Sequence, residues 1–492
     1  MERILNSSSV DDYKLFLKIK QLPSYQIRGR RATFPDEYAS RLSLEPIRHA
    51  RIVFDPSSFL FDYQSDIAQM AIEKERFCAF VSCGLGKTLM FMEFARHALR
   101  TMPKNQCVLI VSPLMVIDQT IAETERFYNG DIKIEKIPSG ELDHWLTHGD
   151  GRIGITNYEA FNNPIRKGRL GCLIIDESSM LKSHYGKWGT EILKLGHGVR
   201  YKFASTGTPA PNDRIEYANH AVFMDAFPNV NAFLATYFVN RGQTNERWVL
   251  KDHALRAFWR ALSHWSIFLT NPATYGWKDN SETIPPIIIN HHHVEMTSEQ
   301  ERLAYDQTGD MFANRLGGIG SRSVLSQIAK GSFRGKRVAT HKPDFIADLV
   351  ESWPDESTLI WCKFNAEQSR LEEAMPDAGS ITGATPHEER MKIVERFKDG
   401  RLRTLISKPK ILGFGLNLQK ATRQIFSGID DSYEQYHQAV KRSNRVGSEY
   451  PLNVHLPVTD IEAPLMENVL RKAERVALDT EEQEKLFKEM SR

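Results

Sequence analysis

Short apolar segments rich in branched side chains alternate with longer amphipathic segments along most of this chain. In the first half the apolar segments are residues 77–83, 108–112, 153–156, 172–176 and 203–206, and in the second half 358–362, 404–407, 424–427 and 454–457. Each has the pattern of a parallel strand that is buried on both faces, and the segments between them are long enough for crossover helices. Two such arrays predict an α/β fold of two doubly wound parallel-sheet lobes.

Changes in this pattern divide the chain into five predicted segments. These are an N-terminal extension (1–60), a first lobe (61–225), a helical insert and linker (226–335), a second lobe (336–460) and a C-terminal helix (461–492). The insert is rich in aromatic residues, and its irregular spacing favours a small core over a surface that stacks bases. The polar stretch 330–342 is typical of a linker.

Composition excludes some classes of protein and leaves others open. A chain of 492 residues exceeds one hydrophobic core. Its longest apolar run is interrupted by Ser112 and Pro113 and is too short to span a bilayer. The five cysteines lie far apart, which predicts a reducing, cytoplasmic location without disulfides. With 64 basic and 62 acidic residues, bulk charge does not indicate a nucleic-acid partner, so any such surface must be local.

A glycine-rich segment follows the first predicted strand and precedes a predicted helix, residues 89–99. It consists of Cys83, Gly84, Leu85, Gly86, Lys87 and Thr88. This context is typical of a phosphate-binding loop, in which glycines let backbone N–H groups converge on phosphate oxygens. Lys87 is predicted to bridge the β- and γ-phosphates of ATP, and Thr88 to bind Mg²⁺. Val81 stands where the general pattern has glycine.

Two adjacent carboxylates, Asp176 and Glu177, end the apolar segment 172–176. Adjacent carboxylates repel each other and are costly to desolvate. In an ATPase, Asp176 would bind Mg²⁺ and Glu177 would activate the attacking water. The alternative is a solvated strand end.

Two further groups have an ordinary and a functional interpretation. Thr206, Gly207 and Thr208 end a strand, either as a plain turn or as hydroxyls that couple the state of the γ-phosphate to movement. Gln438, Arg442 and Arg445 would share one face of a helix, at i, i+4 and i+7. That face is either solvated charge or a source of arginines that stabilise the transferring phosphoryl group.

Taken in order, these segments resemble the helicase motifs of superfamily two, and most closely its Snf/Swi-type double-stranded DNA translocases. The resemblance covers about residues 60–460. Besides the groups above, it includes Ser112, Pro113 and Thr156 in the first lobe, and Lys363, Thr382, Gly383, Arg390 and the segment 413–419 in the second. Ser179 replaces the usual histidine of motif II, and Ser448 replaces the usual final glutamine of motif VI.

The resemblance implies two RecA-like lobes that close on ATP and Mg²⁺. It implies ATP contacts from Gln64, the phosphate loop, Gly415 and Gln438, and catalysis by Lys87, Asp176, Glu177, Arg442 and Arg445. Nucleic-acid contacts are implied for Ser112, Pro113, Thr156, Thr382, Gly383 and Asn417. Such contacts to the DNA backbone carry no sequence information, so sequence-independent, salt-sensitive binding is expected.

The function expected from these features is ATP-driven movement along double-stranded DNA. A strand-separating or branch-migrating helicase is the alternative enzyme, and an ATP-gated recruitment factor is the alternative from another class. The segment 427–436 and the compact length resemble stand-alone phage or prophage members, which implies a role in phage DNA metabolism in the host cytoplasm.

Two weaker patterns remain. Three consecutive histidines, His291, His292 and His293, suggest a metal site, but successive residues of a strand point to opposite faces. Near the N-terminus, Arg28, Arg30 and Arg31 flank Gly29 in a segment that is either a phosphate contact or a solvated loop.

Overall fold

The computed structural model describes residues 2–22, 25–34, 38–39, 42–44, 54–182, 186–242, 248–280, 284–308, 319–412, 418–428, 432–445 and 448–490. The chain forms two compact units, one of Met1–Ser281 with Leu478–Arg492 and one of Glu282–Ala477. None of the described helices combines the length and apolar character needed to cross a bilayer.

The strands of the first unit are β1 (Glu2–Ile4), β2 (Gln26–Arg28), β3 (Arg31–Thr33), β4 (Arg76–Val81), β5 (Cys107–Val111), β6 (Glu135–Lys136), β7 (Ile153–Thr156), β8 (Leu170–Asp176), β9 (Tyr201–Thr206), β10 (Phe238–Asn240), β11 (Trp248–Leu250) and β12 (Ser266–Leu269). Its helices are α1 (Val10–Lys20), α2 (Asp62–Lys74), α3 (Lys87–Thr101), α4 (Ile117–Tyr128), α5 (Leu142–His148), α6 (Lys187–Gly196), α7 (Tyr217–Phe223), α8 (Val230–Tyr237) and α9 (Leu255–Ser263).

A seven-stranded parallel sheet forms the centre of this unit, in the order β12-β4-β9-β8-β5-β7-β6. Strand β8 is buried along its whole length, as expected for a strand covered on both faces. The order places the carboxyl ends of β4, β9, β8 and β5 side by side. In open α/β sheets, ligands bind at these ends.

The segment predicted as an insert and linker, 226–335, is divided between the two units, and its part before residue 282 belongs to this one. Strand β12 forms its edge and pairs with β4. Phe258, Trp259, Trp265 and Phe268 are buried in the core of the lobe, which confirms that the aromatic residues form a core.

The second unit begins with β13 (Ile287–His293) and continues with β14 (Ser332–Phe333), β15 (Lys336–Arg337), β16 (Thr358–Trp361), β17 (Gly379–Ser380), β18 (Thr404–Ser407), β19 (Arg423–Phe426) and β20 (Leu452–Val458). Its helices are α10 (Ser298–Thr308), α11 (Ile319–Ala329), α12 (Lys342–Glu351), α13 (Asn365–Ala374), α14 (His387–Lys398), α15 (Pro409–Leu412), α16 (Tyr433–Val440) and the first part of α17 (Ala463–Met490). Six parallel strands form its sheet, in the order β13-β20-β19-β16-β18-β17. The prediction of two parallel-sheet lobes is therefore confirmed.

The predicted linker 330–342 is part of the second unit. It contains the hairpin of β14 and β15, and its two end residues, Lys330 and Lys342, are buried. Both ammonium groups contact the carboxylate of Glu462, at 2.7 Å and 2.5 Å. These ion pairs attach the segment to the lobe.

The three consecutive histidines lie on β13 and do not converge. His292 Nε2 lies 2.9 Å from His455 Nδ1, while His293 Nε2 lies 3.0 Å from Asp460. Among the described residues no group of three or more His, Cys, Asp or Glu side chains is placed to hold a metal ion. The ring of Trp353 stacks on His455 at 4.7 Å.

This histidine pair predicts a pH effect on the second lobe. Burial, helped by His292 and Arg423, lowers the pKa of His455 from 6.5 to about 4. Unfolded chains therefore bind more protons than folded ones between these values, so stability is full above pH 6.5 and declines as the pH falls toward 4. We expect the melting temperature of this lobe to decrease between pH 7.5 and pH 5. In His455→Gln the melting temperature should change less with pH. The same change with pH in the variant as in wild type would show that His455 is not responsible.

Candidate active site

The phosphate loop joins the end of β4 to the start of α3. Gly84 and Gly86 have φ of 91° and 74°, in the left-handed region that favours glycine. Lys87 is the first residue of α3, and its Nζ donates to the carbonyl of Val81 at 3.0 Å. Backbone N–H groups at a helix N-terminus, together with this lysine, suit a phosphate group.

Gln64 supports the loop from helix α2. Its side chain is buried; Nε2 donates to the Leu85 carbonyl at 3.2 Å, and Oε1 accepts from the Phe61 N–H at 3.1 Å. The hydroxyl of Tyr63 donates to the same Leu85 carbonyl at 3.1 Å. The residue predicted to contact ATP is thus hydrogen-bonded to the phosphate loop.

Substitution of Gly86 is expected to weaken nucleotide binding. A Cβ at this position would overlap Gln64 Nε2, which its hydrogen bonds hold in place. The positive φ would add about 1–2 kcal/mol for any L residue. We expect Gly86→Ala to weaken ATP binding at least about tenfold by calorimetry, since 1.4 kcal/mol corresponds to a factor of ten.

Gly276→Ala is the matched control. This glycine also has a positive φ, of 91°, but nothing lies within 4 Å of its Cβ position. Equal losses of ATP affinity in the two variants would show that backbone strain, and not the contact with Gln64, is responsible.

The carboxylate of Asp176 lies at the end of β8, buried among hydroxyl groups. Ser112 Oγ donates to Oδ2 at 3.0 Å, and Ser205 Oγ donates to Oδ1 at 3.2 Å. Burial and the neighbouring Glu177 raise the pKa of Asp176 to about 6, although the nearby Lys87 ammonium and the two serines oppose this. Because burial makes this carboxylate costly to ionise, a cation bound beside it would stabilise its charged form.

Glu177 has an unusual backbone conformation. Its φ of 53° and ψ of 54° are left-handed, which costs a non-glycine residue energy and is found preferentially at functional sites. Thr206 Oγ1 donates to Glu177 Oε1 at 2.9 Å, and Thr208 N donates to Thr206 Oγ1 at 3.1 Å. The segment predicted to couple hydrolysis to movement is therefore hydrogen-bonded to the predicted catalytic carboxylate.

Both serines that follow Glu177 contact functional groups. Ser179, which stands where the motif usually has histidine, donates to Glu177 Oε1 at 3.4 Å. Ser178 Oγ lies 2.9 Å from Nε2 of His220, a fully buried residue of α7. Burial lowers the pKa of His220 to about 4, so it is neutral at pH 7. Sequence reasoning missed His220, because nothing in its neighbourhood in the chain marks it.

These residues fit ATP with Mg²⁺. The glycine loop takes the left-handed conformation typical of phosphate loops and leaves no room for a Cβ between Gly86 and Gln64. Thr88 and Asp176 are hard oxygen donors. Magnesium in nucleotide sites usually takes only one or two protein carboxylates, with phosphates and water completing the shell. Gly207 lies against the phosphate loop, since a Cβ there would be 3.6 Å from Cys83 Sγ.

The residues predicted to contact nucleic acid in the first lobe are buried. Ser112 and Thr156 are fully buried, and the Thr156 hydroxyl donates to the Ile137 carbonyl at 3.0 Å. Pro113 is buried as well. Their contact with nucleic acid stays a prediction; in this segment Leu114 is exposed.

In the second lobe, two residues that are predicted to contact nucleic acid reach the surface. Thr382 is half-buried and Gly383 is exposed, directly after β17. Gly415 and Asn417 lie outside the described residues.

Three lysines extend this surface. Lys363 follows β16, and Lys408 and Lys410 follow β18, around a cavity of about 220 Å³. Sequence reasoning did not single out Lys408 and Lys410, although two lysines directly after a buried strand were an available signal.

The arginines do not share a helical face. Helix α16 ends at Val440, so Arg442 and Arg445 lie in the turn that follows it. Arg442 is buried and Arg445 is half-buried; the Arg445 N–H donates to Ser448 Oγ at 3.1 Å. Their contact with the phosphoryl group stays a prediction.

Two protein families match this chain. The family described as type III restriction enzyme, res subunit, matches residues 58–209, and the helicase conserved C-terminal domain matches residues 341–447. The first match covers the phosphate loop, both carboxylates and Thr206, and the second covers Gln438, Arg442 and Arg445.

Curated relatives include two proteins of Schizosaccharomyces pombe. The chromatin structure-remodeling complex subunit snf21 is 22% identical over 451 residues, which cover 80% of this chain and 36% of the relative. The SWI/SNF chromatin-remodeling complex subunit snf22 is 21% identical over 446 residues, which cover 80% and 26%. The chain thus spans about a third or less of the length of these relatives.

A solved structure, the Sulfolobus solfataricus SWI2/SNF2 ATPase core in complex with dsDNA, matches with a TM-score of 0.42 and 18% identity, over 89% of this chain and 97% of that one. Both family matches and both curated relatives agree with the order of the motifs and with the two parallel-sheet lobes. The chain is thus similar to superfamily-two helicases of the Snf/Swi type in the order of its motifs, and it has two parallel-sheet lobes.

Proposed function

We propose that this enzyme uses ATP hydrolysis to move along double-stranded DNA without separating its strands. The observation that carries the proposal is the hydrogen bond from Thr206 to Glu177. This bond connects the carboxylate that would activate water to the end of β9. The end of β9 would in turn couple the state of the γ-phosphate to movement. A nucleotide-gated recruitment factor would need no such connection, because it requires no fast hydrolysis.

Residues of both lobes would take part in the chemistry, those of the first lobe in binding ATP and activating water. Lys87 and the loop N–H groups bind the phosphates, and Asp176 with Thr88 holds Mg²⁺, which would neutralise phosphate charge. Glu177 then accepts the proton of the attacking water. Arg442 and Arg445 are proposed to stabilise charge on the transferring phosphoryl group.

The alignment with two chromatin-remodelling subunits supports duplex DNA as the track, since it spans 80% of this chain. On the protein side, Thr382, Gly383 and the three lysines offer hydroxyl, N–H and ammonium groups suited to phosphates. Such contacts are sequence-independent, and the affinity should fall steeply with salt.

The proposed cellular setting follows from sequence resemblance. We assign the motor to phage DNA metabolism in the host cytoplasm, because residues 427–436 and the aromatic insert resemble those of stand-alone phage or prophage members. All five cysteines are free, which suits a reducing compartment.

Displacement of a third strand from a duplex tests the proposed movement. A translocase should release the third strand in an ATP-dependent manner while leaving a forked duplex intact. Release of a strand from the fork would favour a strand-separating helicase. Turnover of no more than one ATP per protein, with release in neither assay, would favour the recruitment factor.

A further inference from the structure

The N-terminal residues form a small module with its own core. Strands β1, β3 and β2 make an antiparallel sheet, and helix α1 packs on it. The core consists of Leu5, Ile19, Leu22, Ala32, Phe34, Tyr38 and Leu42. We call residues 2–44 the N-terminal module. Neither family match includes it.

One end of this sheet concentrates positive charge. Strands β2 and β3 are joined by the two-residue turn Gly29-Arg30, and Gly29 has a φ of 59°. The register places Arg28 directly opposite Arg31. All three arginines are exposed. Arg28 and Arg31 therefore share the outer face of the sheet, and Arg30 extends from its tip.

This arrangement works against the stability of the hairpin. Like charges directly opposite each other on paired strands are destabilising. Arg31 has one acidic neighbour, Glu2, at 3.1 Å, and both side chains are largely exposed. For Arg28 and Arg30, the described part of the chain provides no ion pair or side-chain hydrogen bond. The charges of these two arginines are not neutralised within that part of the protein.

We propose that Arg28, Arg30 and Arg31 bind the phosphate backbone of duplex DNA and form a contact separate from the motor lobes. Planar guanidinium groups pair with phosphate oxygens in a bidentate manner. Neighbouring Cα atoms across paired strands are about 5 Å apart, and each DNA strand carries one charge per about 3.4 Å of axis, so the cluster can engage adjacent phosphates. The choice of DNA as the polyanion rests on the proposed function.

Binding of the full-length protein to blunt duplex DNA, measured by fluorescence anisotropy at several salt concentrations, tests this contact. We expect the triple variant Arg28→Ala, Arg30→Ala, Arg31→Ala to bind about 10–100-fold more weakly at low salt, with a log–log salt slope reduced by about 2–3, because each phosphate contact contributes about 0.9. ATP turnover at saturating DNA should stay within about twofold of wild type, since P-loop chemistry does not involve these side chains. Replacing all three with lysine should keep the salt slope, because the charges remain, but lower the affinity, because the bidentate pairing is lost.

The matched control removes the same charge elsewhere. Arg166, Lys194 and Arg200 are exposed, and each is paired with a carboxylate of the first unit. Their triple alanine variant should bind DNA nearly as wild type does. Equal losses in the two triple variants, or an unchanged slope in the arginine variant, would overturn the inference and leave the proposed function intact. A wild-type protein that does not bind duplex DNA would overturn both.

Discussion

Replacing Glu177 with glutamine is expected to lower the rate of ATP hydrolysis by about 10²–10⁴-fold, the usual contribution of a positioned general base. The amide keeps the size of the side chain, and its oxygen can still accept from Thr206 Oγ1. The variant therefore removes the proton acceptor and leaves the left-handed backbone of Glu177 in place. ATP affinity should remain within about threefold, because Lys87 and the glycine loop supply the phosphate contacts.

The measurement is single-turnover hydrolysis together with binding of a fluorescent ATP analogue. Glu191→Gln is the matched control, since Glu191 is on helix α6 and pairs only with the exposed Lys194 among the contacts described. This control should hydrolyse ATP at the wild-type rate. A Glu177→Gln variant with near-normal hydrolysis would assign the base to another group.

The second large effect concerns stability. Glu462→Gln is expected to destabilise the second lobe by about 3–5 kcal/mol, the usual cost of leaving a buried charge unpaired. Lys330, Lys342 and Glu462 are all buried. Burial alone would raise the pKa of Glu462, but the two ammonium groups reverse this and lower it to about 2. Without this carboxylate, both ammonium groups would remain buried and would lose the anion that they share.

Denaturant unfolding followed by tryptophan fluorescence measures this effect, because Trp353 and Trp361 belong to the second lobe. The control replaces the whole cluster, with Lys330→Met, Lys342→Met and Glu462→Leu. Apolar replacement of a complete buried ion cluster is often neutral or stabilising. If the single variant is as stable as wild type, the cluster does not hold residues 330–342 on the lobe.

The buried strands were the most predictable part of the fold. Strand β18 begins and ends where its sequence predicts, and β8 begins two residues earlier than predicted, because an apolar segment bounded by polar residues marks a strand buried on both faces. Strands β12 and β13 were missed. Both are edge strands. β13 is mostly exposed and ends in three histidines, so it lacks that signature, whereas β12 is a short buried strand within the irregular aromatic segment.

The residues of the site could be predicted from the sequence, but the contacts between them could not. Asp176 and the phosphate loop follow from local sequence, whereas the contact of Ser112 with Asp176 depends on β5 lying beside β8. The order of the strands in the sheet cannot be predicted from any one segment of the sequence. The helix through Arg442 was predicted from spacing alone, but α16 ends at Val440, before a polar stretch with serine and asparagine, which compete for backbone hydrogen bonds.

The most direct test of the central claim is the rate of ATP hydrolysis with no nucleic acid, with single-stranded DNA, with blunt double-stranded DNA and with RNA, measured beside Lys87→Ala. The proposed function predicts strong stimulation by blunt duplex DNA that the variant abolishes. Stimulation by single strands or RNA alone, or by none of these, would contradict a double-stranded DNA translocase.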